Sequence, residues 1–230
     1  NKFLSRCGLD SRRRCDDIIK NKKISINGSI VTDFSYQVQK NDVVIYNGKF
    51  LEIEEKSLVY ILNKPKGFIC TSKDTHNRLK VIDLIDTNIK LFTVGRLDRD
   101  TTGIILLTND GDISNKLTHP KYNKEKKYYV KTKGRIENIF LDKIKNGYRL
   151  KDGTKVKANI KLLSYSGNIF EWDIVLKEGK NREIKRIFSN FDSKVTLIHR
   201  YSFCGIELNN LKNGKYRKMS DKEIKSKLLK

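Results

Sequence analysis

The stretch that decides the fold is GRLDRDTTGIILLTNDGD, residues 95–112. Its apolar run, residues 104–107, predicts a buried strand that follows a glycine and ends in a polar segment. Asp98 lies between Arg96 and Arg99 on the loop that leads into this strand. Because neighbouring positive charge favours the ionised form of a carboxylate, this pattern indicates an acid that works beside a polyanion. A polar hairpin between two core strands is the alternative that the spacing leaves open.

The composition indicates a globular chain with a polyanionic partner. The 230 residues are 37% hydrophobic and 33% charged, and 49 Lys and Arg against 27 Asp and Glu give a formal charge of +22. Such an excess attracts nucleic acid first and an anionic membrane surface as a distant second, although part of it can be solvated surface. No apolar stretch approaches the roughly 18–20 residues of a membrane-spanning helix, so we expect no membrane partner.

The sequence offers no pattern for a metal or cofactor. The four cysteines contain no C-x-x-C pair, and the three histidines stand alone, so we expect no metal site and reduced thiols in the cytoplasm. Neither a dinucleotide-binding glycine motif nor a P-loop occurs, so we expect no cofactor. The cysteines are Cys7, Cys15, Cys70 and Cys204.

Residues 1–48 are predicted to form a small α+β module. A first short helix is followed by a second helix, which begins after Ser11 as its N-cap and runs to Lys20. Two short strands flank Asn27-Gly28, a strong signal for a two-residue hairpin. The candidate RNA-binding residues of this module are Arg6, Arg12, Arg13, Lys20 and Lys22.

The segments FLSRCG (residues 3–8), SRR (residues 11–13) and ISING (residues 24–28) resemble an S4-type RNA-binding domain. This resemblance implies that the paired helices and the following turn lie on structured RNA. The charged residues 49–57 are predicted to be a linker, so that the second domain covers residues 58–230.

The second domain is predicted to alternate strands and helices. Strands are expected at residues 58–62 and 104–107, and residues 63–67 are expected to end the first of them, since Pro65 removes a hydrogen-bond donor. Further strands are expected at residues 128–131, 155–163, 170–175 and 195–198, with helices near 136–146 and 181–190.

Three motifs in this domain carry a second resemblance. They are LNKPKG (residues 62–67), the stretch from Gly95 to Gly111, and EGKNREIKR (residues 178–186). Together they resemble pseudouridine synthases of the RsuA/RluB/RluF type, closest to the large-subunit, RluB-like branch. The resemblance implies an α+β fold: an S4 domain followed by a mixed, largely antiparallel sheet flanked by helices, with a cleft across its middle.

The resemblance also implies roles for individual residues. Asp98 is the catalytic carboxylate, which acts at the ribose either by attacking C1′ or by removing the C2′ proton. Arg96 helps to hold the target nucleotide out of its helix. Tyr128 stacks on the flipped uracil, whereas Tyr129, on the opposite side of a strand, belongs to the core.

The third motif supplies the remaining candidates. Lys185 aligns with the basic residue that pairs with the catalytic aspartate, and Arg182 and Arg186 compete for that pairing or contact phosphate. Ile184 is expected at the floor of the pocket, where an ordinary core position is an equal alternative.

The two resemblances imply an enzyme that isomerises a specific uridine to pseudouridine in ribosomal RNA, and they favour the rRNA of the large subunit. We expect a monomer whose partner is rRNA or a ribosomal subunit assembly intermediate. The first alternative is a non-catalytic S4-type protein for RNA binding or ribosome assembly. A glycoside hydrolase ranks last, because Asp98 and Asp100 are too close in sequence to straddle a sugar.

Overall fold

The computed structural model divides into two compact units. It describes residues 1–53, 56–72 and 74–228. The first unit comprises residues 1–58, 87–90 and 109–111, and the second comprises the rest of the chain. In the part of the chain that the structure describes, no helix is both long and apolar enough to cross a membrane.

The first unit combines two helices with a small antiparallel sheet. Its elements are α1 (Lys2–Arg6), α2 (Arg12–Lys20), β1 (Ile24–Ile26), β2 (Ser29–Ile30), β3 (Val44–Tyr46) and β4 (Lys49–Phe50). The strands are ordered β2-β1-β3-β4. Both helices, β1 and β3 contribute to one buried cluster, made of Leu4, Cys15, Ile19, Ile24, Ile26 and Val44.

The local signals in this unit are confirmed. The side chain of Ser11 caps α2 by accepting a hydrogen bond from the backbone N–H of Arg14. β1 and β2 form the predicted hairpin, and its turn residues Asn27 and Gly28 have φ values of 51° and 82°. Positive φ at both positions is the conformation that an Asn-Gly turn supplies at little cost.

The linker over residues 49–57 stays a prediction. β4 pairs with β3 across a second two-residue Asn-Gly turn, so the small sheet extends two residues past the boundary predicted at residue 48. Residues 54 and 55 of the predicted linker lie outside the described residues.

The second unit is built on a mixed sheet, which has nine strands across the described residues. Its strands are β5 (Val59–Lys64), β6 (Phe92–Val94), β7 (Thr102–Thr108), β8 (Lys126–Lys133), β11 (Ala158–Ser166), β12 (Ile169–Leu176), β13 (Lys194–Phe203), β14 (Ile206–Glu207) and β15 (Tyr216–Lys218). The main path is β11-β12-β8-β13-β7-β5-β15, with β6 beside β7 and β14 beside β13. The pair β7–β13 is parallel and the other pairs are antiparallel, which confirms the predicted sheet.

Helices cover this sheet and complete its core. They are α3 (Gly111–Thr118), α4 (Asn138–Asn146), α5 (Glu183–Ser189) and α6 (Asp221–Lys227). Leu117 of α3 and Ile224 of α6 belong to one buried cluster with Ile61 and Leu106 of the sheet. Phe188 of α5 packs against Trp172 of β12, with ring centroids 5.5 Å apart.

Gly103 lets the two parallel strands approach each other at the centre of the sheet. It lies opposite Arg200 in the β7–β13 pair and has a φ of 107°. A Cβ atom at this position would lie 2.2 Å from the carbonyl oxygen of Arg200. Only glycine fits both this φ and this close backbone contact, so the second glycine of the opening stretch, Gly103, has a structural reason.

Several element predictions need correction. β5 runs to Lys64 instead of ending at residue 62, because Pro65 interrupts pairing only at its own position. The predicted strand at residues 155–163 is two strands, since β10 (Lys155–Val156) pairs with β9 (Tyr148–Arg149) in a separate sheet. α3 and α6 were not predicted, although Ser220 and Glu223 form a capping box that is visible in the sequence as S-x-x-E.

Candidate active site

The loop between β6 and β7 carries Asp98 at the edge of a cavity of about 540 Å³. The backbone N–H of Thr101 donates a hydrogen bond to the Asp98 carbonyl over 3.1 Å and closes a turn just before β7. The cavity is also lined by Tyr128 of β8 and by Ile198 of β13. It therefore lies against the central strands of the sheet, as the resemblance implies.

Lys64 holds this loop from the protein interior. It is 0% exposed, and its Nζ donates hydrogen bonds to the carbonyls of Thr101, Pro65 and Arg99 at 2.8, 3.1 and 3.2 Å. The Arg99 carbonyl also accepts from the backbone N–H of Gly67 over 2.8 Å. An ammonium group has three donors, and all three are used here. Burial lowers the pKa of Lys64, while nearby acidic groups, among them Asp98, oppose that shift.

Sequence reasoning placed Lys64 in a motif but gave it no role. The available signal was a lysine at the end of an apolar strand, directly before proline. Such a lysine is buried only if its charge has a function in the fold, because the desolvation of an ammonium is costly. The first motif and the second motif are thus joined through backbone carbonyls.

The structure brings Asp98 and Lys185 together. The Nζ of Lys185, on the first turn of α5, lies 3.4 Å from Oδ2 of Asp98. The two side chains are 33% and 34% exposed, so the pair contributes no more than about 0–1 kcal/mol to stability. Its position at the cavity edge therefore points to function more than to folding.

Arg96 and Asp98 flank the buried Leu97, and both line the cavity. Leu97 lines the cavity as well, so the alternation expected of an extended segment does not separate it from its two neighbours. The Leu97 N–H donates to Sγ of Cys70 over 3.4 Å, and burial raises the pKa of that thiol. Arg96 is exposed, so its guanidinium is free to reach a bound nucleic acid.

Tyr128 and Ile184 are both buried side chains of the cavity wall. Tyr128 faces Ile174 across the β8–β12 pair and Arg200 across the β8–β13 pair. Ile184 lies in α5, one residue before Lys185. Ile184, which belongs to the apolar wall, and Lys185, which pairs with Asp98, are therefore adjacent residues of α5.

The prediction that Tyr129 belongs to the core is wrong. Its side chain is only half-buried, and it shares a hydrogen-bonding group with Glu171 and Lys131 on the other side of the sheet. Burial and the Glu171 carboxylate raise the pKa of Tyr129. The alternation of β8 was predicted correctly, but the sequence did not show that the opposite face is open to solvent.

The cavity is also lined by charged side chains that the sequence analysis did not single out. Burial lowers the pKa of Lys126, whose Nζ donates to the carbonyls of Lys124 and Lys177 at 3.0 and 3.4 Å. Burial raises the pKa of Glu183, whose Oε2 accepts from the backbone N–H of Lys180 over 2.9 Å. Arg200, which is 2% exposed, also lines the cavity.

Among the described residues Asp98 pairs with Lys185, and neither of the two arginines that competed for this pairing forms it. Arg186 binds the Asp152 carboxylate at 2.8 Å and the hydroxyl of Thr154, which fixes α5 to the β9–β10 hairpin. Arg182 is exposed at the start of α5, has a φ of 49° and lines the cavity. Phosphate contact by either arginine stays a prediction.

Five of the basic residues predicted to bind RNA lie in the first unit. Arg6 ends α1, Arg12 and Arg13 begin α2, Lys20 ends it, and Lys22 follows in the next turn with a φ of 56°. All of them except the half-buried Arg6 are exposed. They are available to a polyanion, and their role stays a prediction.

Comparison with protein families gives two matches in the predicted order. The RNA pseudouridylate synthase family matches residues 58–190, and the S4 domain matches residues 1–44. Both matches fall on the segments that carry the two resemblances.

Individual proteins agree over nearly the whole chain. Ribosomal large subunit pseudouridine synthase B of Bacillus subtilis is 35% identical, over 97% of this chain and 93% of that protein. The dual-specificity RNA pseudouridine synthase RluF of Escherichia coli is 32% identical, over 97% of this chain and 76% of that protein. A solved pseudouridylate synthase structure aligns with a TM-score of 0.68 and 29% identity, over 98% of this chain and 96% of that one.

Proposed function

The chain belongs to the RNA pseudouridylate synthase family, and from this we propose that it converts a specific uridine of large-subunit ribosomal RNA into pseudouridine. The observation that carries the proposal is the pairing of Asp98 with Lys185, at 3.4 Å, on the edge of a cavity that Tyr128 also lines. The similarity to synthases over almost the full length does not support the non-catalytic alternative.

The reaction breaks the N1–C1′ bond of uridine, turns the uracil and joins it again through C5. No atom is gained or lost overall, because the C5 proton leaves and N1 takes up a proton. We assign Asp98 to the ribose, where a carboxylate can attack C1′ or remove the C2′ proton. Lys185 positions that carboxylate, since one ammonium at 3.4 Å restricts its rotation.

The target base must leave its helix to reach Asp98. We assign Tyr128 to stacking on the flipped uracil, an interaction worth about 1–3 kcal/mol per base. Ile184 provides the apolar wall beside it. Arg96, exposed at the rim, would occupy the space that the base leaves and offset part of the unstacking cost of a few kcal/mol.

The first unit would supply affinity for the surrounding RNA. Arg12, Arg13, Lys20 and Lys22 are exposed on or beside α2, and each contact with a phosphate releases counterions. We propose that these residues, together with Arg6, Arg182 and Arg186, bind rRNA or a ribosomal subunit assembly intermediate. Their neutralisation should weaken binding and reduce its salt dependence without changing the chemistry at Asp98.

The test is tritium release from rRNA labelled at uridine C5. We expect release from large-subunit rRNA by the purified chain, and a loss of about 10²–10⁴-fold in Asp98→Asn. Asp100→Asn is the matched control, because Asp100 is exposed two residues away and is assigned no role. A normal rate in Asp98→Asn would remove the assignment of Asp98. Tight RNA binding without any release would favour the non-catalytic alternative.

A further inference from the structure

Arg200 is a buried cation for which the described part of the chain supplies no carboxylate partner. Its residue is 2% exposed, its Nε donates a hydrogen bond to the Ile104 carbonyl over 2.8 Å, and its guanidinium carbon lies 4.6 Å from the centre of the Phe203 ring. Its Nη2 is buried and has no hydrogen-bond partner among the residues that the structure describes. Burying an incompletely paired charge costs several kcal/mol, so the fold retains Arg200 at a cost in stability.

Arg200 lies beside Tyr128 in the cavity that contains Asp98, where a buried positive charge can act on a substrate. Arg200 lies directly opposite Tyr128 in an antiparallel pair, so both side chains project from the same face with Cβ atoms about 4.5–5.5 Å apart. Both line the cavity that contains Asp98. On the other side, Gly103 lets β7 approach the backbone of Arg200 closely, which fixes the residue between two strands.

We propose that Arg200 is a catalytic residue, whose Nη2 donates a hydrogen bond to a carbonyl oxygen of the target uracil and stabilises the charge on the detached base. This inference rests on the proposed function. When the C1′–N1 bond breaks, its electron pair leaves with the uracil and is shared with O2 and O4. The pair that later forms the C5–C1′ bond comes from the base, after which the C5 proton leaves and N1 is protonated. Arginine cannot donate its proton fully, so its role is electrostatic.

An RNA phosphate is the other anion that could pair with Arg200. The base is favoured, because Arg200 is buried beside the residue assigned to stack on uracil, whereas phosphates remain hydrated. Exposed cations such as Arg96 and Arg182 stand at the same cavity and suit phosphate better. A fixed donor in a water-excluded site acts on developing charge more strongly than a surface donor.

The first experiment compares variants of Arg200 in single-turnover tritium release. Arg200→Met keeps an apolar stem against Phe203 and should lower the rate by about 10²–10³-fold, with little change in RNA affinity. Arg200→Lys should restore part of the rate, because it keeps the charge with a different geometry. Arg217→Met is the matched control: Arg217 pairs with Glu223 outside the cavity, so its loss should leave the rate unchanged. Thermal unfolding of every variant identifies any that fails to fold.

The second experiment identifies the oxygen that Arg200 contacts. Short RNAs that contain the mapped target uridine are prepared with sulfur in place of O2 or in place of O4 of its base. A further set carries a methylphosphonate in place of the phosphate on either side of the target. Sulfur accepts hydrogen bonds weakly, so the rate penalty of Arg200→Met, or of Arg200→Lys if the first variant is unfolded, should shrink about tenfold or more on one of the two thio-RNAs.

Equal penalties on all base-substituted RNAs would overturn the proposal, and so would a penalty that shrinks only with a methylphosphonate, which would assign Arg200 to phosphate. A rate loss that follows unfolding alone would overturn it as well. A wild-type chain without activity on any rRNA would instead refute the proposed function, so the two failures are distinguishable.

Discussion

Replacing Lys64 by methionine should remove hydrogen bonds that hold the loop carrying Asp98 in place. Methionine fills a similar volume but cannot donate hydrogen bonds, so the carbonyls of Pro65 and Thr101 would lose the donors that the structure gives them. The Arg99 carbonyl would keep the backbone N–H of Gly67 at 2.8 Å. The loop would therefore remain attached at one point and loosen on the side of Asp98.

The magnitude follows from two opposing effects. Hydrogen bonds from a charged donor contribute about 1.5–3 kcal/mol each, so the three bonds of Lys64 together contribute about 5–9 kcal/mol. Desolvation of the ammonium opposes them by several kcal/mol, in agreement with the lowered pKa of Lys64. We therefore expect Lys64→Met to lower the free energy of unfolding by about 2–4 kcal/mol. A displacement of about 1 Å at a catalytic group can cost 10²-fold in rate, so kcat should fall by at least that factor.

Urea unfolding and single-turnover tritium release measure the two effects separately. Lys66→Met is the matched control, because Lys66 is exposed two residues further along and should change the free energy of unfolding by less than about 0.5 kcal/mol. If Lys64→Met kept kcat within twofold of the wild type while it lost stability, the lysine would support the fold without positioning Asp98, and our reasoning would be refuted.

Three further predictions concern other parts of the second unit. Gly103→Ala should lower the free energy of unfolding by about 3 kcal/mol or more in urea, because the added Cβ would meet a backbone oxygen at 2.2 Å, whereas Gly111→Ala, with open space around it, should have little effect. Lys185→Met should lower kcat by about 10²-fold while changing the free energy of unfolding by less than about 1 kcal/mol. A large loss of stability with an unchanged kcat would instead assign the Asp98–Lys185 pair to the fold. Arg217 and the backbone N–H of Ser220 lower the pKa of Glu223 to about 2, so the stability from this group is present above pH 4.5 and is lost as the pH falls towards about 2. Glu223→Gln should thus cost about 1 kcal/mol at pH 7 and almost nothing near pH 2, and a constant difference in urea midpoints across that range would contradict the assignment.

Local sequence signals predicted the parts of the fold that depend on neighbouring residues. Asn27-Gly28 predicts its hairpin because both residues tolerate positive φ, and Ser11 predicts the start of α2 because its side chain can cap a helix. The capping box at the start of α6 was equally available. The resemblance placed Asp98 and Lys185, 87 positions apart in the chain, in one site, and the structure brings their side chains together.

Features that depend on distant contacts could not be read from the sequence. The polar run His199-Arg200-Tyr201 looks like the end of a strand, so the predicted strand stopped at residue 198, although β13 continues to Phe203. The partners of this run lie on β7 and β8, far away in sequence. Tyr129 was assigned to the core for the same reason, since alternation gives the face of a side chain but not what covers that face.

Burial separates the cations around the cavity by what each can do. Lys64 is fully buried, and its three N–H donors all form hydrogen bonds with backbone carbonyls, so none is available to a substrate. Lys185 is one-third exposed and is directed at Asp98, so it acts through that carboxylate. Arg200 is buried like Lys64, but its Nη2 finds no hydrogen-bond partner among the described residues, and a buried donor group without a partner is costly unless an acceptor enters the cavity. The substrate uracil, with two carbonyl oxygens and a transient negative charge, is the acceptor that the proposed reaction itself brings to this place.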